Sequence, residues 1–315
     1  MEPLPIIVVH CGKSQALDLT LRQAHKTNPE SRLILLGDEA TQHPDFVEFH
    51  CIYEPELYRG VDFFYSIYQH LSSSSLPKFE KFCMARWLIL RNFMHQEGLT
   101  RCLAIDSDVL VFCNVSEEAK RFSSYAMTFA HWNETQNLIH CNFILDRAAL
   151  DSFAEYLLAV YQDPELLERA IKAGCKRKGK YRVSDMSHFY DWSIHTNFPF
   201  CFFEDFYKDG IFFDSCIDFW GGFQSFSWFP KVFRRIKHVA WKDGLPYVTL
   251  IDGRSMPAKV LHYHGAQKFL MDYHVQGKAP FWGIFFCFLK DKVRKIPEKI
   301  QNAVRRCIYR GGNWG

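Results

Sequence analysis

The spacing of short apolar runs near the start of the chain constrains the fold most strongly. Ile6–His10 is an apolar run that ends at a Cys-Gly turn, and residues 32–36 form a second such run before a Gly-Asp pair. Between them, residues 14–27 carry apolar side chains at helical spacing behind a serine suited to cap a helix. A strand, a helix and a strand at this spacing predict a βαβ unit. We therefore expect an α/β fold whose Rossmann-like, mixed but mostly parallel sheet is flanked by helices.

The middle of the chain continues this alternation. A run of four serines precedes Pro77, and apolar residues then recur at three-to-four spacing until Gly98 ends the pattern. Residues 175–182 are basic and contain a glycine, which is typical of a solvated loop. The other predicted elements are a helix over residues 78–96, strands at Cys102–Ile105, 125–130 and 142–145, a helix over 148–161 and a late apolar segment at 260–264.

Composition excludes several classes of protein. The chain has 315 residues, 48% of them hydrophobic, and its net charge of +3 gives no field that would favour nucleic acid. Its 11 cysteines form no C-x-x-C pair, which favours reduced thiols over a zinc site or a disulfide framework. We identify no signal peptide and no run of roughly 18 apolar residues that could span a membrane. These features predict a cytoplasmic protein without a nucleic-acid partner.

Two acidic residues follow the predicted strand Cys102–Ile105, in the tripeptide Asp106-Ser107-Asp108. Ionised carboxylates are costly to bury unless a cation or hydrogen-bond donors compensate them. Mg²⁺ or Mn²⁺ would do so, since both take oxygen ligands and bridge them to a diphosphate. Ligand sites of open α/β sheets also lie at the carboxyl ends of strands. The alternative is an acid pair that caps loop amides at a strand end.

A second motif ends the late apolar segment, from His262 through Gly265 to Lys268. A neutral imidazole is a good ligand for Mn²⁺-type ions, and a glycine lets the backbone approach a phosphate closely. A lysine six residues after the histidine could neutralise charge on a departing diphosphate. The alternative is a structural, histidine-rich strand end.

Together these two motifs resemble those of the GT-A glycosyltransferases, in particular the glycogenin-like and bacterial lipopolysaccharide galactosyl- and glucosyltransferase superfamily. Residues 104–111 resemble its Leu-Asp-x-Asp strand end, and residues 262–268 resemble its His-Tyr/Phe-x-Gly-x-x-Lys segment. The resemblance implies a GT-A fold and a metal-dependent enzyme that moves a sugar from a nucleotide-diphosphate sugar, a UDP-sugar, to a glycan or lipid-linked acceptor.

The resemblance also implies roles for individual residues. Asp106, Asp108 and His262 would bind Mn²⁺ or Mg²⁺, and Lys268 would hold the diphosphate and act in catalysis. The helix over residues 78–96 is similar to a family helix from which a basic residue contacts the nucleotide. The residues assigned on this basis to nucleotide-sugar binding are His10, Cys11, Asp38, Lys81, Arg86, Asp106, Ser107, Asn142, Gly265 and Lys268.

The sequence departs from the family pattern near the sugar site. Phe269 follows Lys268 where the family has proline, Phe143 stands in place of glycine after Asn142, and Met186 in place of glutamine after Asp185. Sugar identity and stereochemistry are therefore open, with retention favoured by the resemblance. An inverting reaction needs a carboxylate base, and the candidates are Asp185, Asp214, Asp191 and Asp218.

Three other classes compete with this interpretation. A haloacid dehalogenase-type phosphohydrolase would carry its D-x-D on the first strand, with Thr or Val two positions after the second Asp, where this chain has Leu110. A sugar nucleotidyltransferase opens with a glycine-rich basic loop, of which residues 10–13 are a poor version. A non-catalytic, sugar-nucleotide-binding scaffold with the same fold stays open.

The end of the chain differs in composition. We divide the chain into a catalytic domain, residues 1–275, and an aromatic and basic tail, residues 276–315, which holds eight Lys/Arg between Lys290 and Arg310. The tail is predicted to form an amphipathic helix, with two interpretations. It could lie on an anionic membrane at the inner face, as a peripheral contact, or it could pack on the domain with a solvated basic face.

Overall fold

The structure is a computed structural model that describes residues 2–71, 76–133, 135–177, 180–218, 221–225 and 236–277. The strands in these ranges are β1 (Ile6–His10), β2 (Leu33–Gly37), β3 (Glu48–Cys51), β4 (Cys102–Ile105), β5 (Val109–Val111), β6 (Met127–Asn133), β7 (Gln136–Leu138), β8 (Cys141–Ile144), β9 (Cys175–Arg177), β10 (Lys180–Arg182), β11 (Phe200–Phe202), β12 (Phe212–Phe213), β13 (Val239–Lys242), β14 (Leu245–Thr249) and β15 (Ser255–His262). The helices are α1 (Gln15–Thr27), α2 (Pro55–Tyr58), α3 (Val61–Ile67), α4 (Pro77–Gln96), α5 (Val115–Arg121), α6 (Arg147–Val160), α7 (Pro164–Ala173), α8 (Asp185–Ser193) and α9 (Met271–Val275), with 3-10 helices at Phe203–Asp209 and Gly265–Leu270.

A central sheet runs in the order β11-β6-β8-β4-β1-β2-β3, with β7 paired to β6. Strand β1 is parallel to β2 and β4, β2 to β3, and β6 to β11. Strand β8 is antiparallel to both of its neighbours. This arrangement confirms the predicted mixed, mostly parallel sheet. The carboxyl ends of β1, β2, β4 and β6 therefore meet at one edge.

A second sheet combines a strand from the middle of the chain with strands from its later part. It runs β12-β15-β14-β13, and β5 also pairs with β15, at its carboxyl end. Val109 lies opposite His262 and Leu110 opposite Leu261 in the antiparallel β5–β15 register. The backbone N–H of Tyr263 also donates to the carbonyl of Asp108 at 2.9 Å. This pairing places the two predicted motifs side by side.

The three helices predicted in the described part of the chain, α1, α4 and α6, form where the sequence signals placed them. The Ser14 hydroxyl accepts a hydrogen bond from the N–H of Leu17 and caps α1, and Pro77 occupies the first turn of α4, where a proline costs no hydrogen bond. Both α4 and α6 agree with the predicted helices to within one residue. None of the helices in the described part of the chain is long and apolar enough to cross a bilayer.

Aromatic side chains fill much of the core on both faces of the central sheet. Phe153 of α6 stacks on Phe189 of α8, with ring centroids 3.5 Å apart, and Phe203 stacks on Phe213 at 4.3 Å. All four rings are fully buried. Eight of the cysteines in the described ranges are free thiols.

The prediction of a loop at residues 175–182 is wrong. Strands β9 and β10 pair antiparallel there, with Lys180 opposite Arg177 and Arg182 opposite Cys175. The pairing satisfies backbone groups that a loop would leave to water, and alternation over three residues is too short a signal to reveal it. The predicted amphipathic helix of the tail falls in residues 278–315, outside the described residues.

Candidate functional site

Two carboxylates and one imidazole converge at the carboxyl end of β4. One ligand atom each from Asp106, Asp108 and His262 lies within 4.8 Å of the others. The two aspartates follow β4, and His262 ends β15, beside β5. His262 Nε2 lies 3.6 Å from Asp108 Oδ1. Two carboxylates and one imidazole suit Mn²⁺ or Mg²⁺, so the donor set fits the ion that the resemblance implies.

The imidazole of His262 is held so that one nitrogen faces the carboxylates. Its Nδ1 lies 2.8 Å from the carbonyl of Ser215, to which it donates a hydrogen bond, and this contact directs Nε2 towards Asp108. His140 stacks on the same ring, with centroids 4.1 Å apart and planes 6° from parallel. His140 Nε2 in turn lies 2.8 Å from the carbonyl of Asp214. The ring of His262 is therefore fixed by a hydrogen bond and by a flat, buried neighbour.

A buried ion pair lies behind this imidazole. Asp214 and Lys237 are 0% and 1% exposed, and Lys237 Nζ lies 2.6 Å from Asp214 Oδ1. The other carboxylate oxygen accepts a hydrogen bond from the backbone N–H of His262 at 3.2 Å. Both carboxylate oxygens of Asp214 are thus engaged, one by Lys237 and the other by the backbone of His262. In this position Asp214 supports His262 from behind.

The guanidinium of Arg86 joins two of the predicted acids. One terminal nitrogen pairs with Asp106, and Nη2 lies 3.1 Å from Asp185 Oδ2 at the start of α8. The indole Nε1 of Trp87 lies 3.5 Å from the same oxygen. Burial raises the pKa of Asp185, against the opposing effect of Arg86. Arg86, which was assigned to nucleotide-sugar binding, thus lies between two carboxylates that compensate its burial.

Lys81 and Lys268 differ in their relation to the site. Lys81 Nζ lies 4.3 Å from the centroid of the Tyr65 ring, against α3. Lys268 Nζ lies 2.8 Å from Asp108 Oδ2, and its side chain is 40% exposed. Gly265 takes φ +59, a left-handed conformation that turns the chain from β15 into the 3-10 helix that carries Lys268.

The residues at the ends of β1 and β2 form a second polar group beside β4. Asp38 Oδ1 accepts hydrogen bonds from the N–H of Gly12 at 2.9 Å and from the Thr41 hydroxyl at 2.6 Å. Burial lowers the pKa of His10 and raises the pKa of the Cys11 thiol to about 12, so both side chains are uncharged at neutral pH. The His10 Nε2 atom is buried and has no hydrogen-bond partner among the described residues.

Two further predicted residues occupy different settings. Ser107 is half-buried between the two aspartates. Asn142 is fully buried opposite Ala104 of β4 and donates a hydrogen bond to the carbonyl of Thr128 at 2.7 Å. The structure therefore places Asn142 inside the sheet and beneath the site, where it links β8 to β6.

The other two candidate bases also differ in their surroundings. Asp191 is 1% exposed and is held by Arg169 at 3.0 Å and by the Tyr156 hydroxyl at 2.7 Å. Asp218 accepts a hydrogen bond from the Cys216 thiol at 2.8 Å. Asp191 is thus part of a packed ion pair between α7 and α8, and Asp185 is the candidate base that contacts the site's own network.

Sequence reasoning did not identify His140, Ser215 or Lys237. His140 lies two residues before the predicted strand at 142–145, which is the one local signal that could have drawn attention to it. Lys237 contacts Asp214, and Ser215 contacts His262, only because the second sheet brings these parts of the chain together. No local pattern reveals such a contact.

No protein-family model matches the sequence, and no curated protein sequence matches it. Similar solved structures include mouse xyloside xylosyltransferase 1 in its apo form, at 10% identity over 62% of this chain and 83% of that one, with a TM-score of 0.42. Another is the galactosyltransferase LgtC in complex with donor and acceptor sugar analogues, at 10% identity over 88% and 98% of the two chains, with a TM-score of 0.40. A third is the glycosyltransferase GlyE of Streptococcus pneumoniae TIGR4, at 10% identity over 69% and 47%, with a TM-score of 0.34.

Proposed function

We propose that this protein is a metal-dependent glycosyltransferase of the GT-A type. Its donor would be a nucleotide-diphosphate sugar, a UDP-sugar, and its acceptor a glycan or a lipid-linked glycan. One observation carries the proposal: ligand atoms of Asp106, Asp108 and His262 converge within 4.8 Å at the carboxyl edge of a mostly parallel sheet. Ligands of open α/β sheets bind at that edge.

The charges around the site support a cation and a diphosphate. Three carboxylates, those of Asp106, Asp108 and Asp185, face the cations of Arg86 and Lys268, so these five groups carry one net negative charge. Asp106, Asp108 and His262 would hold Mn²⁺ or Mg²⁺, and the imidazole favours Mn²⁺. Such an ion, when bound, stabilises negative charge on a leaving nucleoside diphosphate. With a divalent ion the same groups become net positive and attract that anion.

The protein's own side chains would supply the remaining contacts to the diphosphate, to the metal ligands and to the nucleoside. Lys268, on the exposed side of Asp108, would contact the diphosphate and stabilise its charge as the sugar departs. Arg86 would keep the carboxylate of Asp106 oriented. His10, Cys11 and Asp38 would border the nucleoside, since they lie at the carboxyl ends of β1, which is next to β4, and of β2, which is next to β1.

The stereochemical outcome decides whether a base is needed. We favour retention, which the resemblance implies, and a retaining reaction needs no separate base. For inversion, Asp185 is the base that the geometry supports over Asp191 and Asp214. It shares Arg86 with Asp106, and its raised pKa makes its carboxylate a better proton acceptor.

We further propose that the enzyme works in the cytoplasm and contacts the inner face of an anionic membrane through residues 276–315. The eight Lys/Arg between Lys290 and Arg310 support this part of the proposal.

Binding and turnover can be tested together. The purified protein is mixed with Mn²⁺ and a panel of nucleotide sugars, and thermal shift and release of nucleoside diphosphate are measured. We expect a UDP-sugar to raise the melting temperature and to release UDP only when Mn²⁺ is present. Asp108→Asn should abolish the release, whereas Asp252→Asn, at an exposed surface pair with Arg254, should not change it.

Each contrary result points to a different alternative. Full activity of Asp108→Asn would exclude the assigned metal site. Binding without release would favour a non-catalytic sugar-nucleotide-binding protein, and release of pyrophosphate from a nucleoside triphosphate and a sugar phosphate would favour a nucleotidyltransferase.

A further inference from the structure

Two cations, the proposed metal ion and the ammonium of Lys268, have positions beside the same carboxylate, that of Asp108. Asp108 Oδ1 faces His262 Nε2 at 3.6 Å, where a metal ion would be held, and Asp108 Oδ2 lies 2.8 Å from the ammonium of Lys268. The Asp108 side chain is only 12% exposed, so little water screens the two positions from each other. A divalent ion bound between Asp106, Asp108 and His262 would therefore repel the ammonium over a few ångströms.

The side chain of Lys268 can move away from Asp108. Its side chain is 40% exposed and starts from a short 3-10 helix behind Gly265, at the open edge of the site. A lysine ammonium on a flexible four-carbon stem can turn to a new partner at small cost. Among the described residues, Asp108 is the only ion-pair partner of Lys268.

We propose that Lys268 competes with the divalent ion for Asp108, and that this competition couples metal binding to nucleotide binding. This inference rests on the function proposed above. Before nucleotide binds, the Lys268 ammonium neutralises Asp108 and weakens its affinity for the metal. A bound diphosphate offers the ammonium a stronger anionic partner, which frees Asp108 for the ion. By thermodynamic linkage, a metal that displaces Lys268 increases the affinity for the diphosphate by the same factor.

The test uses Mn²⁺ and UDP as probes in titration calorimetry of the full-length protein. Mn²⁺ is titrated with and without saturating UDP, and UDP is titrated in saturating Mn²⁺. For Lys268→Met we expect tighter binding of Mn²⁺ alone, by roughly two- to fivefold, which corresponds to the loss of a partly exposed ion pair. The same variant should bind UDP in Mn²⁺ several-fold more weakly, and the coupling between the two ligands should shrink.

A matched control and a charge-preserving variant isolate the effect. Lys259, three residues before His262 on β15, forms an ion pair of similar length with Glu118 at 2.7 Å. Lys259→Met should leave all three affinities unchanged, and Lys268→Arg should keep the weak binding of Mn²⁺ alone. Structural damage would weaken metal binding, so an increase in affinity is specific to the proposed competition.

The outcomes separate the two proposals. Equal or weaker binding of Mn²⁺ alone by Lys268→Met, with normal binding of Mn²⁺ and UDP by the wild type, would overturn the competition and leave the proposed function intact. Absence of Mn²⁺ binding by the wild type, with and without UDP, would overturn both.

Discussion

Replacement of Lys237 by methionine probes the support of the site. Lys237 is 1% exposed, and its ammonium donates to Asp214 Oδ1 at 2.6 Å and to the carbonyl of Cys216 at 2.7 Å. Lys237→Met keeps most of the side-chain volume between the rings of Phe212 and Phe223 but removes the charge. The variant leaves the 0% exposed carboxylate of Asp214 without its cation.

The size of the effect follows from that burial. Breaking a buried ion pair by removal of one partner costs about 3–5 kcal/mol, because the remaining charge is uncompensated. We therefore expect Lys237→Met to lower the free energy of unfolding by about 4 kcal/mol. The double variant Asp214→Asn/Lys237→Met has no buried charge at this position, and its amide oxygen can still accept the N–H of His262. It should recover about half of the loss.

Urea unfolding followed by tryptophan fluorescence and circular dichroism measures these differences. Lys120→Met, in an exposed pair with Glu117, serves as the control and should change the free energy of unfolding by less than about 1 kcal/mol. A loss of less than about 1 kcal/mol in Lys237→Met, or a double variant no more stable than Lys237→Met alone, would refute the role of the buried ion pair.

Two further variants test other parts of the account. Arg86→Met should destabilise the protein by about 3–5 kcal/mol, because Asp106 and the buried Asp185 lose their shared cation. Added Mn²⁺ should raise the melting temperature of this variant more than that of the wild type. A decrease of less than about 1 kcal/mol in the free energy of unfolding would contradict the role of Arg86 as the shared cation of the two acids. Burial raises the pKa of Glu204 from 4.5 to about 7 in the folded state. The unfolded chain therefore loses this proton first as pH rises, and stability decreases between pH 4.5 and about 7. Glu204→Gln should remove this decrease, which is on the order of 1–3 kcal/mol, and parallel pH–stability curves for the two proteins would refute it.

The local parts of the fold could be predicted because local patterns determine them. Apolar spacing, the Ser14 cap and Pro77 set the helices α1 and α4 almost to the residue. The strand before Asp106 was placed at Cys102–Ile105, as found in the structure, since four apolar residues lie between polar neighbours. The direction of a strand could not be predicted in the same way, because nothing in residues 142–145 shows that β8 runs antiparallel to β4.

The parts of the site that a sequence motif marks could be predicted. The parts that depend on tertiary contacts could not. The convergence of Asp106, Asp108 and His262 was predicted from two motifs, and the β5–β15 register brings them together. The acids Asp185 and Asp214 look alike in sequence, but one contacts the site's network and the other is wholly buried against Lys237. Burial depends on which elements pack together, so sequence spacing alone could not rank them.

The same limit applies to the partners of Arg86. Nothing in the sequence around Arg86 indicates that its guanidinium lies between Asp106 and Asp185. Those two acids are 79 residues apart in the sequence. Only the packing of α8 beside α4 makes them common partners of one guanidinium.

The most direct test of the metal site is an anomalous difference map from crystals grown with Mn²⁺ and UDP, measured near the manganese absorption edge. We predict one strong peak within about 2.0–2.4 Å of ligand atoms of Asp106, Asp108 and His262, with the Lys268 ammonium turned from Asp108 to the diphosphate. A map with UDP bound but no peak at these residues, and with Lys268 still paired to Asp108, would contradict the account.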